Sequence, residues 1–271
     1  MTLCIAAACQ EFFKDRIVIG FDRKISSDIW SSETEFKMEE LIPRQLLALF
    51  AGTVSEAREL LLIYRHEVSS LPARAEMLEK LREPLRIHKR RKVESLVARR
   101  LGLTYDQFLD RGDQIEETMR SQIFTAIDGL SIDVDLLIAG FYIDKTLNNA
   151  LRSQIFQVQQ EDVEVHHNFA CIGAGAASAE FTLHRREQDA ALELDATVYN
   201  VYEAMKLAQI APSVGKDIHI VTLEPVEEGG GEYTLQLLTR EGTNVLSEYY
   251  ERFGPKIAKD VDIPKEAFIK I

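Results

Sequence analysis

The chain opens MTLCIAAACQ, and Thr2 is the first side chain in it able to act as a nucleophile. A threonine hydroxyl needs a base to take its proton, and removal of Met1 would supply one, the free α-amine of the same residue. An α-amine has a reference pKa of about 7.7–8.0, near enough to neutrality to move a proton in either direction. The β-branch of threonine restricts χ1 and holds Oγ in few orientations. The small Thr2 side chain is of the kind methionine aminopeptidases accept, so the expected mature chain starts at Thr2 with no propeptide to cleave.

Other reactive side chains fit known chemistry less well. Cys4, Cys9 and Cys171 are an odd number without CxxC or Cys/His ligand spacing, which argues against a disulfide frame or a zinc site. Cys4 and Cys9 fall inside an apolar strand, out of reach of a terminal amine. The six histidines (His66, His88, His166, His167, His184, His219) lack spacing such as HExxH. On a strand, His166 and His167 would point to opposite faces. His219 alternates with Ile218 and Ile220, as a strand residue does. The GAGAAS segment from Gly173 lacks the GK[ST] ending and βαβ setting of a phosphate loop. Its expected role is close backbone packing before a helix. Neither a metal nor a cofactor is expected.

With 271 residues, 46% hydrophobic and 28% charged, the sequence has the composition of an ordinary globular protein large enough to bury its own core. Its net charge of -12 opposes attraction to nucleic acid or anionic membrane. No signal peptide or membrane-spanning stretch is apparent, and the cysteines suit a reducing compartment, so a cytoplasmic location is expected. Neither a linker nor an internal repeat interrupts the chain, which reads as one domain over residues 1–271.

The elements that must position Thr2 follow from hydrophobic periodicity. TLCIAAACQ and IVIGFD read as a hairpin of two strands, each buried on two faces. KMEELIPRQLLALFAG reads as a second strand pair around Pro43. SEARELLLIYRHEV is a helix with Ser55 as its N-cap. The pattern stays helical from about Glu76 to Ile127, with breaks expected at Pro84, at Gly102–Thr104 and at Gly112. DVDLLIAGFYID, ALRSQIFQVQ and EVHHNFACIGAG read as three strands. Helices are expected over Ala177–Asp189 and Asp195–Gln209, and the strands IHIVTLEP and YTLQLLT close the chain. Blocks of antiparallel strands separated by helices predict an α+β fold, two sheets face to face with helices outside.

In order and spacing, Thr2, IVIGFDRKIS, Lys37, LFAGTVSEARELL, DLLIAGFYID, CIGAGAASAE and DATVYNVYEAMKLAQ resemble the proteasome β-subunit superfamily of N-terminal nucleophile hydrolases. The MTLCIA opening is similar to its bacterial ancestral β-subunit branch. The region from about 71 to 111 is longer and more basic than in compact members. The resemblance implies a four-layer αββα sandwich and a threonine-type peptidase or amide hydrolase acting on peptide or protein substrates. It also implies assembly into a homo-oligomer, a ring or a related form.

By the same resemblance, the catalytic threonine falls on Thr2, the aspartate on Asp22, the lysine on Lys37 and the oxyanion-hole glycine on Gly52. Ser26 falls on a position that contacts substrate backbone, and Ile25, Phe50 and Val54 lie near positions that line a specificity pocket. In those roles Lys37 would favour the alkoxide of Thr2, Asp22 would hold Lys37 charged, and the Gly52 amide would meet the oxyanion. Two departures stand out. Gly173-Ala174-Gly175 replaces a G-S-G segment whose serine supports the terminal amine. In IAPSVGKD, Ser213 and Gly215 match in part, while Ile210 or Ala211 occupies the aspartate position. These departures keep open an alternative, a catalytically inactive subunit with a structural or binding role.

RIHKRRKVESLVARR is a basic stretch in an acidic chain. Leu85, Val93, Leu96, Val97 and Leu101 form its expected apolar side, leaving a cationic face that suits a neighbouring subunit better than nucleic acid.

Overall fold

The computed structural model describes residues 3–22, 25–26, 31–32, 37–68, 74–111, 114–144, 150–160, 162–226 and 230–255, with backbone alone at 25, 26, 31, 32, 74 and 75. The chain divides into two compact units, Met1–Leu238 and Thr239–Ile271.

In the first unit, β1 (Leu3–Glu11) and β2 (Lys14–Asp22) form the expected antiparallel hairpin. Its tip, Phe12 and Phe13, has positive φ at both residues, 51° and 64°, the sign that a two-residue turn needs to follow strand twist. After the two-residue strands β3 (Ile25–Ser26) and β4 (Ser31–Ser32), which pair with each other, come β5 (Met38–Ile42) and β6 (Leu46–Gly52). Then follow the helices α1 (Val54–Glu67), α2 (Arg74–Leu101), α3 (Tyr105–Asp110) and α4 (Glu117–Asp128). The strands β7 (Val134–Asp144), β8 (Ala150–Gln159), β9 (Asp162–His166) and β10 (Phe169–Gly173) come next. The helices α5 (Ala176–Arg185) and α6 (Leu194–Ala208) precede β11 (Ile218–Pro225) and β12 (Tyr233–Leu237).

Two five-stranded antiparallel sheets result, ordered β10-β1-β2-β11-β12 and β5-β6-β7-β8-β9. Alternation along each strand builds the layers. Cys4, Ala6 and Ala8 of β1 with Ile17, Ile19 and Phe21 of β2 meet Leu47, Leu49, Leu137 and Phe141 of the other sheet. On the opposite face of the first sheet, α6 lies so close that a Cβ on Gly20 would be 2.6 Å from Val201 Cγ1. On the outer face of the second sheet, Leu46, Ala48 and Phe50 pack under Ala57, Leu60 and Tyr64 of α1 and Leu81 and Leu85 of α2. The unit is the four-layer αββα sandwich of an α+β fold.

Several local expectations change. EVHHNFACIGAG is not one strand. It splits after His166, and β9 borders the second sheet while β10 pairs with β1 in the first. Asn168, in the bend between them, accepts the Ala8 amide at 2.7 Å. The N-cap of α1 is Thr53, not Ser55, because the helix begins straight after β6. Nor does Pro84 break α2, which runs 28 residues through it. The ring removes one helical N–H. The buried Tyr64 hydroxyl donates to the Leu81 carbonyl at 2.6 Å, giving that turn another partner.

Beyond Gly102 the chain turns into α3 through a capping box, in which Thr104 Oγ1 accepts the Gln107 amide and Gln107 Oε1 accepts the Thr104 amide. Leu85, Val93 and Val97 of the basic stretch are buried, with Leu96 and Leu101 half-buried, as expected. Arg86, Arg90, Arg91, Arg99 and Arg100 lie exposed.

The second unit carries α7 (Arg240–Phe253), whose N-cap Thr239 accepts the Gly242 amide at 3.1 Å. The expectation that strands close the chain overlooked this helix, which buries none of its residues. Among the described residues, no helix is long and apolar enough to cross a membrane.

Candidate active site

Asp22 is the last residue of β2, opposite Ile218 of β11. Lys37 directly precedes β5, its carbonyl accepting the Phe50 amide of β6 at 3.2 Å. Strand ends of the two different sheets thus carry the two side chains. Lys37 Nζ donates to Asp22 Oδ1 at 3.0 Å, with side-chain exposures of 3% and 0%. Asp22 Oδ2 accepts the Gly215 amide at 2.7 Å. Gly215 itself is held from α6, as Gln209 Nε2 donates to the carbonyls of Gly215 and Lys216, each at 2.9 Å. The sequence flagged Gly215 only as a partial match, and gave Gln209, the last residue of DATVYNVYEAMKLAQ, no role of its own.

Cys4 lies beside this pair, its Sγ donating to the Phe50 carbonyl at 3.7 Å. Burial pushes its thiol far up; the Lys37 charge opposes that shift and the Asp22 charge adds to it. The thiol is therefore neutral and inert, yet it lies within the field of both charges.

Gly52 ends β6 opposite Val134, with φ of +109°, a conformation that favours glycine. A Cβ there would lie 2.1 Å from the Asp133 carbonyl oxygen. That same oxygen accepts the Thr53 amide at 2.9 Å. On the first turn of α1, Glu56 Oε2 accepts the Asp133 amide at 3.1 Å. Its Oε1 receives His88 Nε2 at 3.0 Å and Lys92 Nζ at 2.6 Å. Burial alone would raise the Glu56 pKa, but the bonds from Lys92, His88 and Asp133 outweigh it and hold the carboxyl below its ordinary value. Sequence reading set His88 aside for want of ligand spacing and gave Glu56 no role.

Phe50 is only 2% exposed in the core beneath α1, and Val54 packs half-buried at the edge of that core. Ile25 and Ser26 pair with Ser32 and Ser31, and their side chains fall outside the described residues. Thr2 also lies outside the described residues, one peptide bond before Leu3, where β1 begins opposite Gly173. Gly175 takes the packing role expected of GAGAAS. A Cβ there would meet Val214 at 2.8 Å, Ala208 at 3.1 Å and Leu3 at 3.3 Å. Ala174 is exposed, as is Ile210. His219 is the strand residue expected, stacked on Phe21 with ring centroids 5.4 Å apart.

Two antiparallel sheets thus pack face to face between helical layers, with Asp22, Lys37 and Gly52 at strand ends. The chain is similar to a solved structure described as the Anbu (Gly-1) mutant from Hyphomicrobium sp. strain MC1. The TM-score is 0.58 at 14% identity, over 93% of this chain and 97% of that one. At that identity the likeness is one of fold. No family model matches the chain, and no curated protein matches its sequence.

Proposed function

We propose that the chain is a threonine-type peptidase or amide hydrolase in which Thr2, after loss of Met1, is the nucleophile. The observation that carries this reading is the solvent-closed Lys37–Asp22 pair next to Cys4, two residues along the chain from Thr2. Buried ion pairs are weak contributors to stability, and apolar residues often replace them without loss. Their presence in the strand-end region of this fold is better accounted for by chemistry.

In the proposed reaction the α-amine takes the Oγ proton, and Oγ adds to the substrate carbonyl. Lys37, compensated by Asp22, favours the developing alkoxide, and the Gly52 amide donates to the oxyanion. Collapse of the adduct breaks the C–N bond, and the protonated amine returns its proton to the leaving nitrogen. Water activated by the same amine then hydrolyses the Thr2 ester. Ser26 would hold substrate backbone, with Ile25 and Val54 near the side-chain pocket, while Phe50, closed in the core beneath α1, is too buried to line it. The protein would act on peptide or protein substrates in the cytoplasm as a homo-oligomer, which size measurement in solution tests.

A second reading, an inactive structural or binding subunit, is favoured by Ala174 and by Ile210 and Ala211 in place of side chains that would support the amine. Treatment with a threonine-directed β-lactone or epoxyketone, followed by peptide mapping and intact mass, separates the two. An adduct on Thr2 that is absent from Thr2→Ala supports the hydrolase. A processed chain that labels nowhere, or complete retention of Met1, supports the inactive subunit.

A further inference from the structure

We propose that α2 sets the geometry of the oxyanion loop through Glu56, with His88 and Lys92 as its positioning residues; this rests on the assignment of Gly52 to the oxyanion site. The connection is continuous. His88 and Lys92, four residues apart on one face of α2, both bond Glu56 Oε1, at 3.0 and 2.6 Å. Glu56 Oε2 takes the Asp133 amide at 3.1 Å, and the Asp133 carbonyl receives the Thr53 amide at 2.9 Å. Lys92 also donates to the Ser131 carbonyl at 2.5 Å, and Ser131 Oγ donates to Asp133 Oδ1 at 3.0 Å. The Asp133 peptide is thereby gripped from both sides.

Gly52 has no slack against that peptide. Its φ of +109° and the 2.1 Å separation between a would-be Cβ and the Asp133 oxygen fit the two backbones directly together. Any shift of Asp133 is therefore carried to the amides of Gly52 and Thr53. An oxyanion donor works only when held near its productive position, and a displacement of about 1 Å can cost on the order of 100-fold in rate. His88 is 1% exposed and its second nitrogen, Nδ1, is buried 3.9 Å from Glu59, too far for a hydrogen bond. The ring is thus committed to Glu56. The 28-residue helix α2 thereby braces the loop.

The test compares Lys92→Met, His88→Gln and Glu56→Gln with the conservative Lys92→Arg. The readouts are the saturating rate and the half-saturating concentration for β-lactone acylation of Thr2, amide exchange over residues 50–57 and 130–135, and the melting temperature. The expected result is an acylation rate lowered by roughly 10-fold with half-saturation nearly unchanged, and faster exchange in both segments. Lys92→Arg should recover most of the rate. Folded variants with wild-type rate and wild-type exchange would overturn the proposal. Wild-type protein that does not label removes the hydrolase assignment alone, and the exchange comparison then decides whether α2 holds this loop. Should Glu56→Gln fail to fold, the partly exposed Lys92 gives the deciding variant.

Discussion

Lys37 and Asp22, fifteen residues apart in the chain, form a 3.0 Å ion pair closed to solvent, in which Asp22 gives its second oxygen to the Gly215 amide. Removing one partner leaves the other charge buried without that counter-charge. Lys37→Met is expected to cost about 3–5 kcal/mol. The double variant with Asp22→Asn should cost less than the sum of the two single changes. Urea unfolding of all four proteins checks this, and strictly additive costs would show that the two side chains are not coupled.

Gly52→Ala is expected to destabilise the chain by about 1–3 kcal/mol, the scale of a residue forced into an unfavourable backbone region. Its Cβ would meet the Asp133 carbonyl, so the loop must move. Labelling of Thr2 should fall by about 100-fold or more, beyond what the loss of folded protein explains. Measurement under conditions where thermal melts show full folding isolates that effect.

Acid should loosen the Glu56 cluster in a definite direction. The folded carboxyl titrates below its ordinary value of 4.5, so its bonds contribute stability above that pH. The contribution is lost as pH falls through the lower folded value. The stability difference between wild type and Glu56→Gln should therefore be full near neutrality and shrink below pH 4.5. Urea midpoints of both proteins over a pH series measure it, and a gap that widens in acid would contradict the assigned bonds.

All three thiols are buried, and burial pushes each upward, that of Cys9 to about 12. The native protein should resist a thiol-specific disulfide reagent at pH 8, while the unfolded chain should titrate three groups. Rapid modification of the folded protein would show that a strand of the first sheet opens.

Much of this architecture was legible in local pattern. The β1–β2 hairpin and the pair around Pro43 follow from apolar runs broken by turn residues, and the apolar face of the basic helix from a period of 3.6. Other features were not, since the competing forces are not local. The segment 164–173 reads the same whether it serves one sheet or two, and only its partners, β8 and β1, divide it. Pro84 reads as a stop, but packing against α1 holds the helix through it.

The sequence by itself determined most of the strands and helices, because apolar runs, side-chain alternation and helical spacing act over a few residues. It also supplied the order of Thr2, Asp22, Lys37 and Gly52, which the resemblance picked out. Tertiary structure alone decided that Asp22 meets Lys37 and a Gly215 amide 193 residues away, and that Glu56 ties α2 to the Gly52 loop. Those meetings depend on sheet register and layer packing. A buried charge finds its partner only when the strand ends and loops that carry the two are brought to the same place.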